Sequence, residues 1–151
     1  MDYFKPSVTV DAMVIWAPPE SHERCVLLIQ RKHDPFAEHW ALPGGFIEPH
    51  EPLVDSVSRE LKEETGLEEL EFTQFGTFGD PGRDPRGRTL TVAYYAVIET
   101  KTPPVVKGLD DAKDARWFSL SEMPALAFDH QKIIERGLAA YATASKRGYT
   151  A

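Results

Sequence analysis

The segment from Gly45 to Leu67 restricts the possible structure of this chain more than any other part of the sequence. It reads GFIEPHEPLVDSVSRELKEETGL. Its Glu60, Glu63 and Glu64 are spaced at i, i+3 and i+4, which places three carboxylates on one face of a helix. Because like charges in this arrangement repel one another, we expect a bound cation to neutralise them. A hard divalent ion such as Mg²⁺ prefers oxygen ligands and commonly bridges to phosphate.

The residues around these carboxylates predict where the helix begins and ends. Pro52 suits the first helical turn, where its missing N–H group costs nothing. Gly66 follows the last helical residue, at the position where a left-handed cap is common. Val54, Val57 and Leu61 form an apolar stripe that we expect to pack against the rest of the protein. The carboxylates then lie on a second face, which is available to bind metal.

The same segment resembles the Nudix box, the pattern GX5EX7REUXEEXGU in which U is an apolar aliphatic residue. Gly45 and Glu51 match its first two fixed positions. The later fixed positions are matched by Arg59-Glu60-Leu61, Glu63-Glu64 and Gly66-Leu67. Every required position is present, which a generic charged helix has no reason to reproduce.

The resemblance implies a hydrolase that cleaves the pyrophosphate bond of a nucleoside diphosphate joined to another group. By the family pattern, the expected metal ligands are the carbonyl of Gly45 and the carboxylates of Glu60, Glu63 and Glu64. The expected catalytic residues are Glu51, Arg59, Glu63 and Glu64. Glu51 either binds metal or orients the water, and Arg59 supports the loop and the helix through salt bridges. The implied cofactor is Mg²⁺, with Mn²⁺ as the alternative.

The sequence leaves the general base open. Nudix enzymes take it from the box or from an acidic loop elsewhere. Glu63 or Glu64 can serve, because a nearby cation lowers the pKa of water and demands less of the base. Asp110, Asp111 and Asp114 are weaker candidates, since a solvated acidic loop explains them more simply.

A second segment, residues 80–88, contains three arginines in an otherwise acidic chain. Asp84 to Gly87 has the preferred residues of a type I turn, and the arginines could simply be solvated. Against this, guanidinium groups suit bidentate contact with a diphosphate, so Arg83 and Arg86 are candidate substrate-binding residues. Phe46 is a third candidate, because its ring could stack on an adenine. This loop, together with PFAEHWALPGGF and AFDHQKII, is similar to the ADP-ribose pyrophosphatase branch of the Nudix family.

Composition is consistent with one globular domain that spans residues 1–151. The net charge of −7 argues against a nucleic-acid partner. The single cysteine, Cys25, cannot form an internal disulfide and is interpreted as a buried strand residue. No signal-like start or long apolar run is present, so we expect a cytoplasmic protein without a membrane partner.

Apolar and β-branched patterns predict strands over 8–17, 25–32, 71–78, 89–98 and 116–119, the first two forming a hairpin. A terminal helix is predicted between Ile133 and Ala144, with Asp129 as its N-cap. His130 is expected to make a capping or local hydrogen bond rather than to act in catalysis. The predicted fold class is α+β, a Nudix-type α/β/α sandwich with a mixed β-sheet.

The function hypothesis is metal-dependent hydrolysis of ADP-ribose to AMP and ribose 5-phosphate, with a small-molecule nucleotide as the only required partner. The alternative within the class is hydrolysis of noncanonical nucleoside triphosphates. A different class, a non-catalytic sensor that binds ADP-ribose, is less favoured because such proteins tend to lose box acids and this chain keeps them all. Many family members are homodimers, and the sequence leaves this possibility open.

Overall fold

A computed structural model describes residues 3–146 as seven strands and two helices. In chain order, four strands precede the first helix: β1 (Ser7–Trp16), β2 (Cys25–Arg31), β3 (Trp40–Ala41) and β4 (Gly44–Phe46). Helix α1 (Leu53–Thr65) follows. The last elements are β5 (Thr73–Phe78), β6 (Thr89–Ile98), β7 (Ala112–Ser119) and α2 (His130–Lys146).

The sheet is mixed, and β1 lies at its centre. The hydrogen-bonded order is β3-β2-β1-β6-β5, with β4 paired to β1 and β7 paired to β2. β1 and β6 run parallel along their whole lengths, whereas the other pairs are antiparallel. The pairing of β4 with β1 sets Gly44 opposite Asp11 and Gly45 opposite Val10. This register fixes the start of the Nudix-like segment against the central strand.

The two helices bury their apolar sides in two separate clusters. Val57 and Leu61 of α1 belong to a cluster that includes Val10, Ala12 and Val14 of β1. Ile133 and Ile134 of α2 belong to a second cluster, which includes Met13 and Ile15 of the same strand. Successive residues of a strand face opposite sides of a sheet, so one helix covers each face. The predicted α/β/α sandwich is confirmed.

Helix α1 ends as the sequence predicts, but its buried stripe differs. Gly66 adopts the left-handed conformation (φ 83°), and its N–H donates to the carbonyl of Lys62 at 2.9 Å. Val57 and Leu61 are buried. Val54, which we predicted to pack with them, is 46% exposed, and Leu53 contacts the core instead. Val54 is seven residues, about two turns, from Leu61 and therefore lies on the same side of α1, so its exposure reflects its place in the first turn and not a different helical face.

The strand predicted over 89–98 is present with the same ends, the other predicted strands are present with shifted ends, and the hairpin of β1 and β2 is confirmed. The strand predicted over 116–119 begins earlier, at Ala112, because it pairs with the full length of β2. The short strands β3 and β4 were not predicted. Cys25 is buried in β2, as expected. Within residues 3–146, no helix is long and apolar enough to span a membrane.

The start of α2 corrects the predicted N-cap. The helix begins at His130, and the carbonyl of Asp129 accepts a hydrogen bond from Ile133 N–H. The carboxylate of Asp129 does not cap the helix, because both of its oxygens accept hydrogen bonds from Arg83, at 2.7 and 2.9 Å. The Asp129 carboxylate therefore binds Arg83, from a distant loop, and not the N–H groups at the start of α2.

Candidate active site

A cavity of about 570 Å³ opens between α1, β4 and the loops that follow β2, β5, β6 and β7. One part of its wall is acidic and includes Asp11, Glu60 and Glu64. Another part carries the arginine side chains of residues 31, 83 and 86 together with Phe46 and Phe128. Anionic and cationic groups thus face the same space.

Glu64 and Glu60 join α1 to the two glycines of β4. The Gly44 N–H donates to Glu64 Oε1 at 2.7 Å. A Cβ atom at Gly45 would lie 2.6 Å from the carboxylate carbon of Glu60, so any larger residue there would have to displace the Glu60 carboxylate. The first glycine of the Nudix-like segment therefore allows the backbone to approach the metal-ligand candidate Glu60 closely.

Burial and neighbouring charges make these two carboxylates costly to ionise. Glu64 is 7% exposed, and its burial, together with the negative charges of Glu60 and Asp11, raises its pKa well above the usual value. Burial also raises the pKa of Glu60, although its ion pair with Arg59 opposes this shift. A cation near Glu64 would relieve the accumulated negative charge.

Arg59 forms the centre of an ion-pair cluster that ties the loop before α1 to the helix. Its Nε and Nη2 donate to the two oxygens of Glu51 at 2.7 and 2.9 Å. Its Nη1 donates to Glu60 at 3.0 Å and to Glu63 at 3.3 Å. Its Nη2 also donates to the Phe46 carbonyl at 3.2 Å. The contacts match the supporting salt bridges that the resemblance implied.

The structure separates the four box carboxylates into two pairs. Glu60 and Glu64 line the cavity, whereas Glu51 and Glu63 do not. The carboxylate of Glu51 accepts hydrogen bonds from Arg59 and Ser56, which hold its pKa down at about 2. Glu63 is 42% exposed on the side chain and faces Arg59. The three carboxylates of the i, i+3, i+4 set therefore do not converge on one point, and the metal-binding and catalytic assignments of Glu51 and Glu63 stay predictions.

The donor set of the cavity suits a hard cation. Within residues 3–146, no three Asp, Glu, His or Cys side chains are gathered closely enough to enclose a metal ion. Glu60 and Glu64 nevertheless present oxygen donors to the cavity, and the Gly45 backbone lies against Glu60. Carboxylate and carbonyl oxygens are the ligands that Mg²⁺ prefers, and this ion usually keeps several waters and uses only one or two carboxylates. The residues present therefore fit Mg²⁺ or Mn²⁺.

The arginine loop, residues 80–88, places its two candidate substrate-binding residues in different environments. The Arg83 side chain is only 5% exposed and is held by Asp129. Arg86 is 41% exposed on the side chain, pairs with the buried Asp84 at 2.8 Å and lies over the Phe46 ring, 5.0 Å from its centroid. Arg86 and Phe46 are thus brought together at the mouth of the cavity, whereas Arg83 mainly fixes the loop to the start of α2.

Several residues at the cavity were not selected from the sequence. Asp11 is buried in β1 and accepts a hydrogen bond from Thr91 at 2.6 Å. A single charge inside the otherwise uncharged strand was a signal that could have identified it. Phe128 and Arg31 carried no such local signal. Of the acidic-loop candidates, Asp110 and Asp111 line the cavity, whereas Asp114 pairs with Arg116 at 2.7 Å and lies outside it.

The capping or local hydrogen bond predicted for His130 is not the one observed, because its partner is distant in sequence. The imidazole is buried, and its Nδ1 accepts from the Leu42 N–H at 3.0 Å. Burial lowers the pKa of His130, so the ring is neutral and carries its proton on Nε2, which lies 3.7 Å from Asp11 Oδ1. This contact anchors the segment that leads into Gly44 and Gly45.

Comparison with known proteins identifies the family. The model described as NUDIX domain matches residues 7–137. The chain therefore belongs to the Nudix family, which confirms the predicted resemblance and its class, a Nudix hydrolase.

Individual relatives agree with the ADP-ribose branch. An ADP-ribose pyrophosphatase of Methanocaldococcus jannaschii is 40% identical over 133 residues, which cover 88% of this chain and 73% of that protein. An ADPR responsive transcriptional repressor of Acinetobacter baylyi is 34% identical, with 91% of this chain and 55% of that protein covered. The NUDIX domain of Shewanella oneidensis NrtR, solved with ADP ribose, is 32% identical with a TM-score of 0.81, covering 92% of this chain and 90% of that one. The chain thus spans about half the length of the repressor that it matches.

Proposed function

We propose that this protein hydrolyses ADP-ribose to AMP and ribose 5-phosphate in a metal-dependent reaction. The observation that carries the proposal is the composition of one cavity, in which Glu60 and Glu64 face the same space as Arg86 and Phe46. Similarity to an ADP-ribose pyrophosphatase over 88% of the chain supports the choice of substrate.

Each part of the cavity has a distinct task in this reaction. Glu60 and Glu64, with the Gly45 carbonyl, would hold Mg²⁺, or Mn²⁺ in its place. The bound cation would neutralise the diphosphate and favour the ionisation of water. Arg59 keeps the Glu60 carboxylate in position through its hydrogen bond at 3.0 Å. The exposed edge of Arg86 is available to a phosphate oxygen, and the Phe46 ring, 45% exposed, is available to a base.

The direct test is product analysis. Purified protein is incubated with ADP-ribose and either Mg²⁺ or Mn²⁺, and AMP and ribose 5-phosphate are separated by chromatography. We expect both products in equal amounts, and none in the presence of EDTA. A parallel panel of nucleoside triphosphates detects the competing activity, because that reaction releases pyrophosphate and a nucleoside monophosphate.

Two results would contradict the proposal. Release of pyrophosphate from a triphosphate, without AMP from ADP-ribose, would assign the protein to the alternative substrate class. Tight binding of ADP-ribose by calorimetry without any product would instead assign it to the sensors, a class favoured by its similarity to the ADPR responsive repressor.

A further inference from the structure

The four arginines that line the cavity differ in whether an acidic side chain holds them. Three of them are engaged within 2.8 Å by carboxylates, in the pairs Arg59 with Glu51, Arg83 with Asp129 and Arg86 with Asp84. The fourth, Arg31, has no carboxylate within 4.0 Å among residues 3–146. The cavity therefore contains one guanidinium group whose charge is not directly paired in the described structure.

The backbone fixes where the Arg31 guanidinium lies. Arg31 is the last residue of β2, and its Nε donates to the Pro35 carbonyl at 2.8 Å. This bond uses one side of the guanidinium and leaves its terminal amino groups without a protein acceptor in the part of the chain described. Because the side chain is partly buried and lines the cavity, those groups are directed toward space that a ligand can enter.

The surroundings of Arg31 favour an anion rather than another cation or an apolar group. The guanidinium carbons of Arg31 and Arg86 lie 4.9 and 5.4 Å from the centroid of the same Phe128 ring. Burial and the positive charge of Arg86 lower the pKa of Arg31. Cation–π contact offsets part of this cost, but two like charges beside one ring still repel. An anion in the cavity would reduce this repulsion and could accept hydrogen bonds from the terminal N–H groups of Arg31, which reach solvent.

Arg31 is also within electrostatic reach of the acidic part of the cavity. The charge of Glu64 partly opposes the lowering of the Arg31 pKa, so the two side chains influence each other across the cavity. A diphosphate held at Glu60 and Glu64 through a cation would therefore lie in the same cavity as Arg31, within reach of its positive charge. Arginine is well suited to this contact, because its planar group donates two parallel hydrogen bonds to phosphate.

We propose that Arg31 is a substrate-binding residue whose terminal N–H groups donate to the phosphate oxygens of the diphosphate. This assignment rests on the proposed function and adds to it a residue outside both the box and the arginine loop. It differs from the roles of Arg59 and Arg83, whose ion pairs hold parts of the protein together.

The test measures binding in place of turnover. Calorimetry in Mg²⁺ gives the dissociation constants of methylenediphosphonate and of an ADP-ribose analogue with a methylene-bridged diphosphate. The variants are Arg31→Met and Arg31→Lys, and the matched control is Arg136→Met, which changes an exposed arginine on α2. We expect Arg31→Met to weaken both ligands about 10- to 100-fold, as for the loss of hydrogen bonds to a charged group. Arg31→Lys should recover part of this loss, and Arg136→Met should match the wild type.

The experiment separates an error about the role of Arg31 from an error about the substrate. If wild-type protein binds the diphosphonate but not the ADP-ribose analogue, ADP-ribose is the wrong substrate, and the diphosphonate comparison alone decides the role of Arg31. Unchanged diphosphonate affinity in Arg31→Met would overturn the assignment, as would a wild type that binds neither ligand. Equal losses in both Arg31 variants, with a lowered melting temperature, would show that Arg31 only supports the fold. If Arg31→Met does not fold, Arg31→Gln and Arg31→Lys provide the same comparison.

Discussion

The two helices cover opposite faces of one sheet, but they bury different kinds of side chain. Helix α1 buries Val57 and Leu61 together with the polar residues Ser56, Glu64 and Thr65. Helix α2 buries Ile133, Ile134 and Gly137, and its one buried polar side chain is His130 at the start. Buried polar groups must be hydrogen-bonded, and a buried carboxylate costs stability. Helix α1 therefore contributes buried polar groups that can form a site, whereas α2 contributes almost only apolar packing.

The largest expected effect is the loss of activity in Glu64→Gln. Glutamine retains an oxygen that can accept the Gly44 N–H but removes the charge that would bind a cation. Stabilisation by a metal is worth several kcal/mol in the transition state, so kcat should fall about 1000-fold. Steady-state hydrolysis of ADP-ribose at saturating Mg²⁺ measures this fall.

The same variant should not lose stability at neutral pH. Because burial raises the pKa of Glu64, ionisation costs free energy in the folded state, and this cost is absent below the unfolded pKa and appears as the pH rises through the folded pKa. Urea unfolding of the metal-free protein at pH 7.5 should therefore give Glu64→Gln a free energy of unfolding equal to or above that of the wild type. A clear loss of stability would show that α1 uses Glu64 for folding and would weaken the contrast between the helices.

Ile133→Ala should lower stability and leave activity nearly unchanged, the opposite of Glu64→Gln. Ile133 is fully buried beneath α2, and removing its side chain leaves a cavity among apolar neighbours. We expect the free energy of unfolding to fall by about 3 kcal/mol. Since Ile133 does not itself line the cavity, kcat per folded molecule should stay within twofold of the wild type. A large fall in kcat at a temperature where the variant is folded would contradict the separation of the two faces.

Val57→Ala tests whether packing and function are coupled on the α1 face. Val57 is fully buried, so the substitution should cost about 2 kcal/mol in the free energy of unfolding. Because the same helix carries Glu60 and Glu64, a small shift should also lower kcat, by about 3- to 10-fold. Val54→Ala is the matched control: its side chain is 46% exposed, and the expected change is below about 0.5 kcal/mol. Equal kcat values in Val57→Ala and the wild type would show that contacts other than the packing of Val57 hold Glu60 and Glu64 in position.

Local spacing was sufficient to predict α1, its glycine cap and the placement of Glu60 and Glu64 together, although it wrongly grouped Glu63 with them. The reason is that each of these features depends on residues within one or two helical turns of one another. The same logic failed for Val54, because the direction in which α1 meets the sheet depends on β1 and not on the helix itself. Thr73 and Ala112 mark strand ends that were also misjudged, since pairing partners decide where strands end.

The rest of the cavity could not be predicted, because its residues come together only through the fold. Arg31 ends β2, and Phe128 precedes α2, so nothing in either neighbourhood indicates that they are in contact. Asp129 had the residue type and position of a helix cap, yet its carboxylate accepts hydrogen bonds from Arg83, which lies 46 positions away in the sequence. Reading such contacts from a sequence requires knowing which loops share an edge of the sheet.

The smallest expected effect concerns the ion pairs at the rim of α1, and it depends on pH. Hydrogen bonds from Arg59 and Ser56 hold the pKa of Glu51 at about 2, whereas the pKa of a glutamate in an unfolded chain is about 4.3. Glu51 therefore stabilises the fold above the unfolded pKa, and this contribution is lost as the pH falls toward 2. The gap in free energy of unfolding between wild type and Glu51→Gln should narrow between pH 7 and pH 3, as measured by urea titration at each pH. Because Glu51 is partly exposed, 1 M NaCl should also reduce the gap at pH 7. A gap that is independent of both pH and salt would mean that Glu51 acts through packing, like Ile133 beneath α2, and not through charge.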